Sequence, residues 1–361
     1  MTRKTFADFM AGRAGRVQAM PIAKTSFAAS FYGKQWLDEV TYTECAAALG
    51  ECGVIPSVII GEKEYFPPDH PLGFGFKLKH QDAEKKIYEC AVSSGMGDIT
   101  IEQTFIKGQT GVLTRGILSS TDALKKLYSY LLRAQKETRA VADNVSKIRR
   151  SAGGNCVIQF FLPQPFELYC LAGREEAIYL RHDGDADFEK VKSASLSLSL
   201  KLIEELSAAD EVDCFLFGSA GSELYSPDIF DEEFFPASKL IIDAAKRSNV
   251  PIIYHACGNM KAFAERTRFF ELEPDIIEGM AFPPLGDLLP EHFGGMSEKV
   301  ILRGNIVLRL LRNGSSADVR AAANELLALL PDRKILLSGA CDILYGTPEE
   351  NIAALNPVIS G

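Results

Sequence analysis

The stretch PIIYHACGN, at residues 251–259, shows most clearly which fold this sequence predicts. Its first half is a short, continuous apolar run, and its second half is a turn that carries polar side chains. A strand whose two faces are both buried in a parallel sheet has this continuous pattern. The pattern recurs along the chain, and the predicted strands are Met20–Lys24, Val54–Ile60, Cys156–Leu162, Val212–Gly218, Pro251–His255, Asp275–Glu278, Val300–Ile306 and Lys334–Ser338.

Helical patterns lie between most of these strands. The predicted helices are Thr121–Ile148, Asp187–Ala208, Ile229–Lys246 with a kink or a break at Pro236, and Ser316–Leu330. Alternating strands and helices of this number predict a (β/α)8 barrel of the TIM type. The rival fold is a doubly wound open sheet, but no G-x-G-x-x-G motif follows a strand. We therefore expect one α/β barrel domain over residues 1–361.

Residues 62–118 do not fit the barrel pattern. They contain two stretches in which apolar and polar residues alternate, at residues 87–92 and 98–105. Such alternation is typical of strands with one buried face. The sequence therefore predicts an insertion with a hairpin between the second and third barrel strands.

Composition and charge exclude several classes of protein. The chain has 361 residues, of which 47% are hydrophobic, and a net charge of −9. This length buries a large core without disulfides, and the acidic balance argues against nucleic acid as a partner. No stretch reaches the roughly 18 uncharged apolar residues of a membrane span, and the N-terminus lacks the apolar core of a secretory signal. We expect a cytoplasmic enzyme with reduced cysteines; nothing in the sequence indicates its oligomeric state.

His255, Cys257 and Cys341 form a candidate metal site. His255 and Cys257 are two residues apart at a strand end, and Cys341 follows the last predicted strand. The carboxyl ends of barrel strands meet at one face, where catalytic residues lie. Zinc binds histidine nitrogen and cysteine sulfur, and a catalytic zinc has three protein ligands and an exchangeable fourth position. Glu278, at the end of the intervening strand, is the predicted displaceable fourth ligand; its alternative role is a salt bridge with an arginine.

The ordinary roles of these residue types are structural. A histidine near an apolar strand is most often part of the core, and a buried cysteine packs as a small hydrophobic residue. We expect that packing role for the other six cysteines, Cys45, Cys52, Cys90, Cys156, Cys170 and Cys214.

Several segments carry a family resemblance. The chain resembles the uroporphyrinogen decarboxylase superfamily, and within it the zinc-dependent methylcobamide:thiol methyltransferases such as the methylcobamide:coenzyme M enzymes. HACGNM is similar to the His-x-Cys-Gly-Asn motif of the methyltransferase branch, and its H-x-C together with the distal Cys341 is the most specific match. The matching segments are residues 11–22 (AGRAGRVQAMPI), 165–173 (PFELYCLAG), 225–246, 255–260 (HACGNM), 301–307 (ILRGNIV) and 339–355 (GACDILYGTPEENIAAL).

The resemblance implies methyl transfer at zinc. His255, Cys257 and Cys341 would hold Zn²⁺, and the bound substrate thiolate would attack a methyl group on cobalt. Further residues given a substrate-binding or supporting role are Glu223, Asn259, Asn305 and Asp342. The chain has no Asp-x-His-x-x-Gly signature for cobalt ligation, so we expect a separate corrinoid protein as the partner. The resemblance names neither the methyl donor nor the acceptor, nor the direction of transfer.

One departure from the family concerns the loop after the first strand. Uroporphyrinogen decarboxylases have an Arg-Gln-Ala-Gly-Arg loop there, whereas this chain has TSFAASFYGKQW, at residues 25–36, without arginine. Decarboxylation of a polycarboxylate is therefore less favoured, and a decarboxylase or lyase without a metal is the first alternative. A second alternative is a non-catalytic binding protein on the same barrel, in which His255 and the cysteines are structural.

Overall fold

The computed structural model describes residues 2–109, 112–115, 122–164, 174–219, 225–279 and 295–357. The strands in these ranges are β1 (Val17–Ala19), β2 (Ser57–Ile60), β3 (Gly75–Gln81), β4 (Lys85–Ser93), β5 (Asp98–Ile106), β6 (Val112–Arg115), β7 (Val157–Phe161), β8 (Cys214–Ser219), β9 (Ile252–Ala256), β10 (Ile276–Glu278), β11 (Ile301–Ile306) and β12 (Ile335–Gly339). They form two separate sheets.

The larger sheet is the predicted barrel. Its eight strands are parallel and follow the order β1-β12-β11-β10-β9-β8-β7-β2. The Ile55 N–H, just before β2, donates to the Ala19 carbonyl oxygen at the end of β1 over 2.9 Å. This bond joins the two ends of the strand order, so the sheet curls back on itself. The (β/α)8 fold of the TIM type is confirmed.

The prediction for the first strand is wrong in position. Residues Val17–Ala19 form β1, whereas Met20–Lys24 was predicted. Every strand of a barrel has neighbours on both sides, and Pro21 has no N–H to donate to a neighbouring strand. The ladder with β12 therefore ends before the proline, and Val17 lies opposite Ile335. The other seven predicted barrel strands overlap observed ones.

Helices surround the barrel sheet. Their bounds are Arg3–Met10, Thr25–Phe31, Tyr42–Glu51, Ala123–Ala134, Thr138–Ala152, Arg174–His182, Ala186–Ala209, Pro227–Ile229, Phe235–Arg247, Lys261–Arg266, Leu308–Asn313, Ser316–Leu329 and Glu349–Ala353, with a π-helical turn at Phe230–Phe234. The break predicted near Pro236 is confirmed, because the π turn precedes it. Within the described parts of the chain, no helix has the length and apolar character needed to cross a bilayer.

The insertion contains the smaller sheet. Its strands are antiparallel in the order β3-β4-β5-β6, so the predicted hairpin is confirmed as β4 and β5. The prediction missed the flanking strands β3 and β6. All residues of β3 are exposed, so none of its faces is buried. A strand without a buried face cannot be recognised from the alternation of apolar and polar residues.

Alternate residues of the barrel strands face its interior. One buried cluster combines Phe6 and Phe9 of the first helix with Cys214, Leu216, Ile253, Ile276, Ile301 and Leu336. The residues between them on the same strands, such as Phe215 and Tyr254, belong to the outer core beside the helices. Because side chains alternate along a strand, His255 shares the inward face with Ile253, and Glu278 shares it with Ile276. The barrel interior is thus apolar at one end and polar at the carboxyl ends of the strands.

Candidate metal centre at the barrel mouth

Three of the predicted ligands meet at the carboxyl ends of β9 and β12. The ligand atoms of His255, Cys257 and Cys341 all lie within 4.8 Å of one another. The Cys341 Sγ is 3.9 Å from the His255 Nε2, and a hydrogen bond joins the two cysteine side chains. Cys257 is exposed and Cys341 half-buried, so the site is open on one side.

The backbone around His255 has no room for a larger neighbour. Gly218, on β8, lies opposite His255, and a Cβ atom there would be 2.1 Å from the His255 carbonyl oxygen. Gly279 follows Glu278 with φ of +89°, and a Cβ atom there would be 2.6 Å from the Ala256 carbonyl oxygen. The glycines therefore allow the strand ends to approach closely enough for the ligands to meet.

Replacement of Gly218 by alanine is expected to displace His255. Excess volume in a packed interior costs about 1–3 kcal/mol, so the free energy of unfolding should fall by that amount. The displaced imidazole should also weaken metal binding. Denaturant unfolding and zinc titration of Gly218→Ala would measure both effects. Gly154→Ala is the matched control, because no atom lies within 4 Å of its added Cβ. Equal stability of the two variants would contradict the steric argument.

Glu278 does not lie where a fourth metal ligand was predicted. Its Oε1 accepts a hydrogen bond from the His255 Nδ1 over 2.8 Å, and its Oε2 accepts one from the Arg303 guanidinium over 2.8 Å. Both oxygens are thus engaged, and the side chain is buried behind the imidazole. The salt bridge with an arginine, the alternative considered for Glu278, is the observed arrangement. Its contact with Nδ1 leaves Nε2 directed towards the sulfur atoms.

Arg303 is a site residue that the sequence argument missed. Its side chain is fully buried and donates to the Met20 and Pro21 carbonyl oxygens, to Gln159 and to Glu278, each over 2.7 or 2.8 Å. It therefore connects the segment just after β1 with β7 and β10 across the barrel interior. An arginine within the apolar run VILRGNIV was the available signal, since buried charges are nearly always paired.

The charges of the cluster shift the pKa values of its members. Burial lowers the pKa of His255, but the hydrogen bonds with Cys341 and Glu278 and their charges raise it more, to about 9. Burial raises the pKa of Glu278, and the charges of Arg303 and His255 outweigh this effect and lower it. The hydrogen bond with Cys257 and burial raise the pKa of Cys341 to about 12.

The other predicted residues lie around this cluster. Asp342, half-buried beside Cys341, accepts a hydrogen bond from the Lys24 backbone N–H over 2.8 Å. Asn259 accepts one from the Lys261 N–H over 3.1 Å, in the turn after Cys257. Asn305 is buried at the end of β11. Glu223 lies outside the described residues, so its predicted role is not addressed by the structure.

The division of the cysteines follows the prediction. Cys45, Cys52, Cys90, Cys156 and Cys214 are buried, whereas the two candidate ligands are not. Burial raises the pKa of Cys45, Cys52 and Cys156 to about 12. A packing role is confirmed for these five residues, and Cys170 lies outside the described ranges.

The donor set fits zinc. Zn–S bonds of about 2.3 Å and Zn–N bonds of about 2.0 Å in a tetrahedron separate neighbouring ligand atoms by roughly 3.5–3.8 Å. The observed 3.9 Å between Cys341 Sγ and His255 Nε2 is close to this value. The Nδ1 contact with Glu278 is the carboxylate–histidine arrangement that commonly supports a zinc-bound imidazole.

Comparison with known proteins gives the family. The sequence profile described as uroporphyrinogen decarboxylase (URO-D) matches residues 92–360. The chain belongs to this family. Among curated protein sequences, none matches at a significant level. The family resemblance predicted from the motifs is confirmed.

One of three similar solved structures shares the fold. A methyltransferase from Methanosarcina mazei superposes with a TM-score of 0.64 at 14% identity, over 98% of this chain and 97% of that chain. A B12-independent methionine synthase from Shewanella sp. W3-18-1, in complex with selenomethionine, gives 0.47 at 14% identity, over 93% and 96%. A putative vitamin-B12-independent methionine synthase from Listeria monocytogenes gives 0.40 at 20% identity, over 59% and 65%. At 14% identity, the likeness to the Methanosarcina mazei structure shows the fold alone. The two methionine synthase structures have TM-scores below 0.5, so nothing about this chain is inferred from them.

Proposed function

We propose that this URO-D family protein transfers a methyl group between a corrinoid protein and a small thiol, at a zinc ion held by His255, Cys257 and Cys341. One observation carries the proposal, namely that the three donor atoms converge within 4.8 Å at the open end of the barrel. One nitrogen and two sulfur ligands leave a fourth position for a substrate, as in catalytic rather than structural zinc sites.

The residues of the site have separate tasks. The two cysteines bind as thiolates and His255 as a neutral imidazole, with its remaining proton on Nδ1 held by Glu278. Arg303 balances the Glu278 charge inside the barrel. Zinc, when bound, would supply the positive charge that keeps a substrate thiol deprotonated near neutral pH. The exposed side of Cys257 leaves the site accessible to the substrate.

In the proposed transfer, the substrate thiol would lose its proton to solvent when its sulfur binds as a thiolate. A carbon–sulfur bond would then form as the cobalt–carbon bond breaks, and the electron pair of the broken bond would stay on the corrinoid. The corrinoid belongs to a separate protein in this proposal. That protein would approach the carboxyl ends of the barrel strands, where the cluster opens.

Methyl transfer from free methylcobalamin to the small thiol mercaptoethanol tests this function. The loss of methylcobalamin absorbance should be faster with zinc-loaded protein, should return to the uncatalysed rate after metal removal, and should recover when zinc is added back. A Cys52→Ala variant is the control, because Cys52 is buried away from the cluster. Equal rates with zinc-loaded and metal-stripped protein, or no acceleration by either, would contradict the proposal.

Replacement of Glu278 by glutamine is expected to weaken zinc binding by about 10–100-fold, the usual loss when the partner of a ligating histidine is changed. The glutamine amide oxygen can still accept the hydrogen bond from the His255 Nδ1–H. It lacks the negative charge of the carboxylate, which strengthens this hydrogen bond. Competition with a chelator measures the affinity. Glu271→Gln changes an exposed glutamate paired with Arg268 and serves as the control. An unchanged affinity in Glu278→Gln would show that the contact does not support the metal.

A further inference from the structure

The two sulfur-bearing residues of the candidate metal centre also contact each other. A hydrogen bond joins the Cys257 and Cys341 side chains, and their sulfur atoms lie within 4.8 Å of each other. Cys257 follows β9 and Cys341 follows β12, so the fold brings together two thiols from distant parts of the chain. Two thiols in contact can form a disulfide, because an S–S bond of about 2.05 Å needs only a short approach of the sulfur atoms.

The two thiols differ in their access to solvent. Cys257 is exposed and Cys341 is half-buried, so a small oxidant reaches the Cys257 sulfur first. Cys341 lines a cleft of about 800 Å³ together with Lys107 of the insertion, which gives small solutes a path to the pair. The remaining cysteines in the described ranges are buried and should be inert, namely Cys45, Cys52, Cys90, Cys156 and Cys214.

The end of β9 allows the Cys257 sulfur to move while the barrel stays in place. The Cys257 N–H donates to the Ser219 carbonyl oxygen over 3.0 Å, and Gly258 follows in a turn with φ of +85°. These features hold the backbone of Cys257, whereas its side chain is exposed. Rotation about the Cα–Cβ bond therefore moves the sulfur between staggered positions through solvent and not through packed atoms.

We propose that Cys257 and Cys341 form a peroxide-sensitive pair, which hydrogen peroxide converts from two thiols into a disulfide. First, the Cys257 sulfur bonds to one peroxide oxygen as the O–O bond breaks, which gives a sulfenic acid and one water. Next, the Cys341 sulfur bonds to the Cys257 Sγ as the S–O bond breaks, and the leaving hydroxyl takes the Cys341 proton to form a second water. The two thiols are oxidised, and the peroxide is reduced to two waters.

The disulfide would remove two of the three candidate metal ligands and leave His255 alone. Zinc binds cysteine as the thiolate, and a disulfide has no thiolate to offer. Bound zinc should therefore slow the oxidation, and oxidation should release bound zinc. This second part rests on the zinc site of the proposed function, whereas disulfide formation in metal-free protein does not.

Thiol counting and peptide mass spectrometry of chelator-treated, metal-free protein test the disulfide. The reduced chain has eight cysteines, and treatment with hydrogen peroxide should remove two thiols and join the peptides of Cys257 and Cys341. Dithiothreitol should restore both thiols. Cys52→Ala is the control and should lose the same two thiols, because Cys52 is buried in the core. An unchanged thiol count, or a loss that dithiothreitol does not reverse, would overturn the proposal.

Two serine variants test which thiol reacts with peroxide. In Cys341→Ser, the sulfenic acid on Cys257 has no partner thiol and should be trapped by dimedone. In Cys257→Ser, the half-buried Cys341 should gain much less of this label, and neither variant should form the disulfide. Equal labelling of the two variants would overturn the assignment of Cys257 as the residue that peroxide oxidises first.

A zinc-release measurement separates this proposal from the proposed function. In zinc-loaded protein, peroxide should release about one zinc for each disulfide formed, which a chromophoric chelator detects. Added zinc should slow the loss of thiols. Reversible disulfide formation in the metal-free protein supports the pair even if no methyl transfer occurs. Zinc that neither slows the oxidation nor leaves with it would overturn the second part of the proposal.

Discussion

Cys257→Ser and Cys341→Ser are each expected to abolish zinc retention and methyl transfer. A serine hydroxyl does not deprotonate near neutral pH, whereas zinc binds cysteine as the thiolate. The loss of affinity should exceed the roughly 100-fold upper range for changes in residues that merely support a ligand. Elemental analysis should find about one zinc per chain in the wild-type protein and almost none in either variant.

Two comparisons make this result specific. Cys52→Ala removes a sulfur atom from the buried core and should leave the zinc content unchanged. The circular dichroism spectra of both serine variants should match the wild-type spectrum, because Cys257 is exposed and Cys341 half-buried. Zinc retained at the wild-type level in either serine variant would refute the assignment of that residue as a ligand.

Arg303→Met is expected to produce the largest loss of stability. Removal of the guanidinium leaves Glu278 buried with His255 as its remaining partner, and also leaves the Met20 and Pro21 carbonyl oxygens without their donor. Removing one member of a buried ion pair costs about 3–5 kcal/mol. The free energy of unfolding, measured by denaturant titration, should fall by about that amount.

A second substitution tests the cause of this loss. In the double variant Arg303→Met with Glu278→Gln, a neutral amide replaces the carboxylate that the loss of Arg303 would otherwise leave without its partner. Part of the lost stability should therefore return. Arg309→Met, at an exposed arginine in the helix after β11, should stay within about 0.5 kcal/mol of the wild-type protein. A loss of that small size in Arg303→Met would mean that the buried network does not stabilise the barrel.

The barrel could be predicted because each strand carries a local signal. Runs such as VDCFLFG and PIIYH are apolar on both faces, and this property does not depend on which strands become neighbours. The first strand was misplaced because Met20 and Ile22 are as apolar as the residues of β1, and only pairing with β12 decides where the ladder ends. Strand β3 gave no signal, because it lies exposed at the edge of its sheet.

The candidate ligands His255, Cys257 and Cys341 could be predicted from their positions after strands. The role of Glu278 could not, because a carboxylate at a strand end serves equally as a metal ligand or as the partner of a histidine or an arginine. Which of these it becomes depends on the position of Arg303, which lies opposite it on β11. The sequence places these two residues 25 positions apart, and only the parallel register brings them together.

The sequence by itself therefore determined seven of the eight barrel strands, the barrel class and the three candidate ligands, since these follow from local patterns of apolarity and from residues next to strand ends. The tertiary structure alone decided that Glu278 supports His255, that Arg303 lies buried behind both, and that Lys107 of the insertion faces the same cleft as Cys341. These facts depend on distances between segments far apart in the chain, which are set when the strands pair and the inserted sheet packs against the barrel.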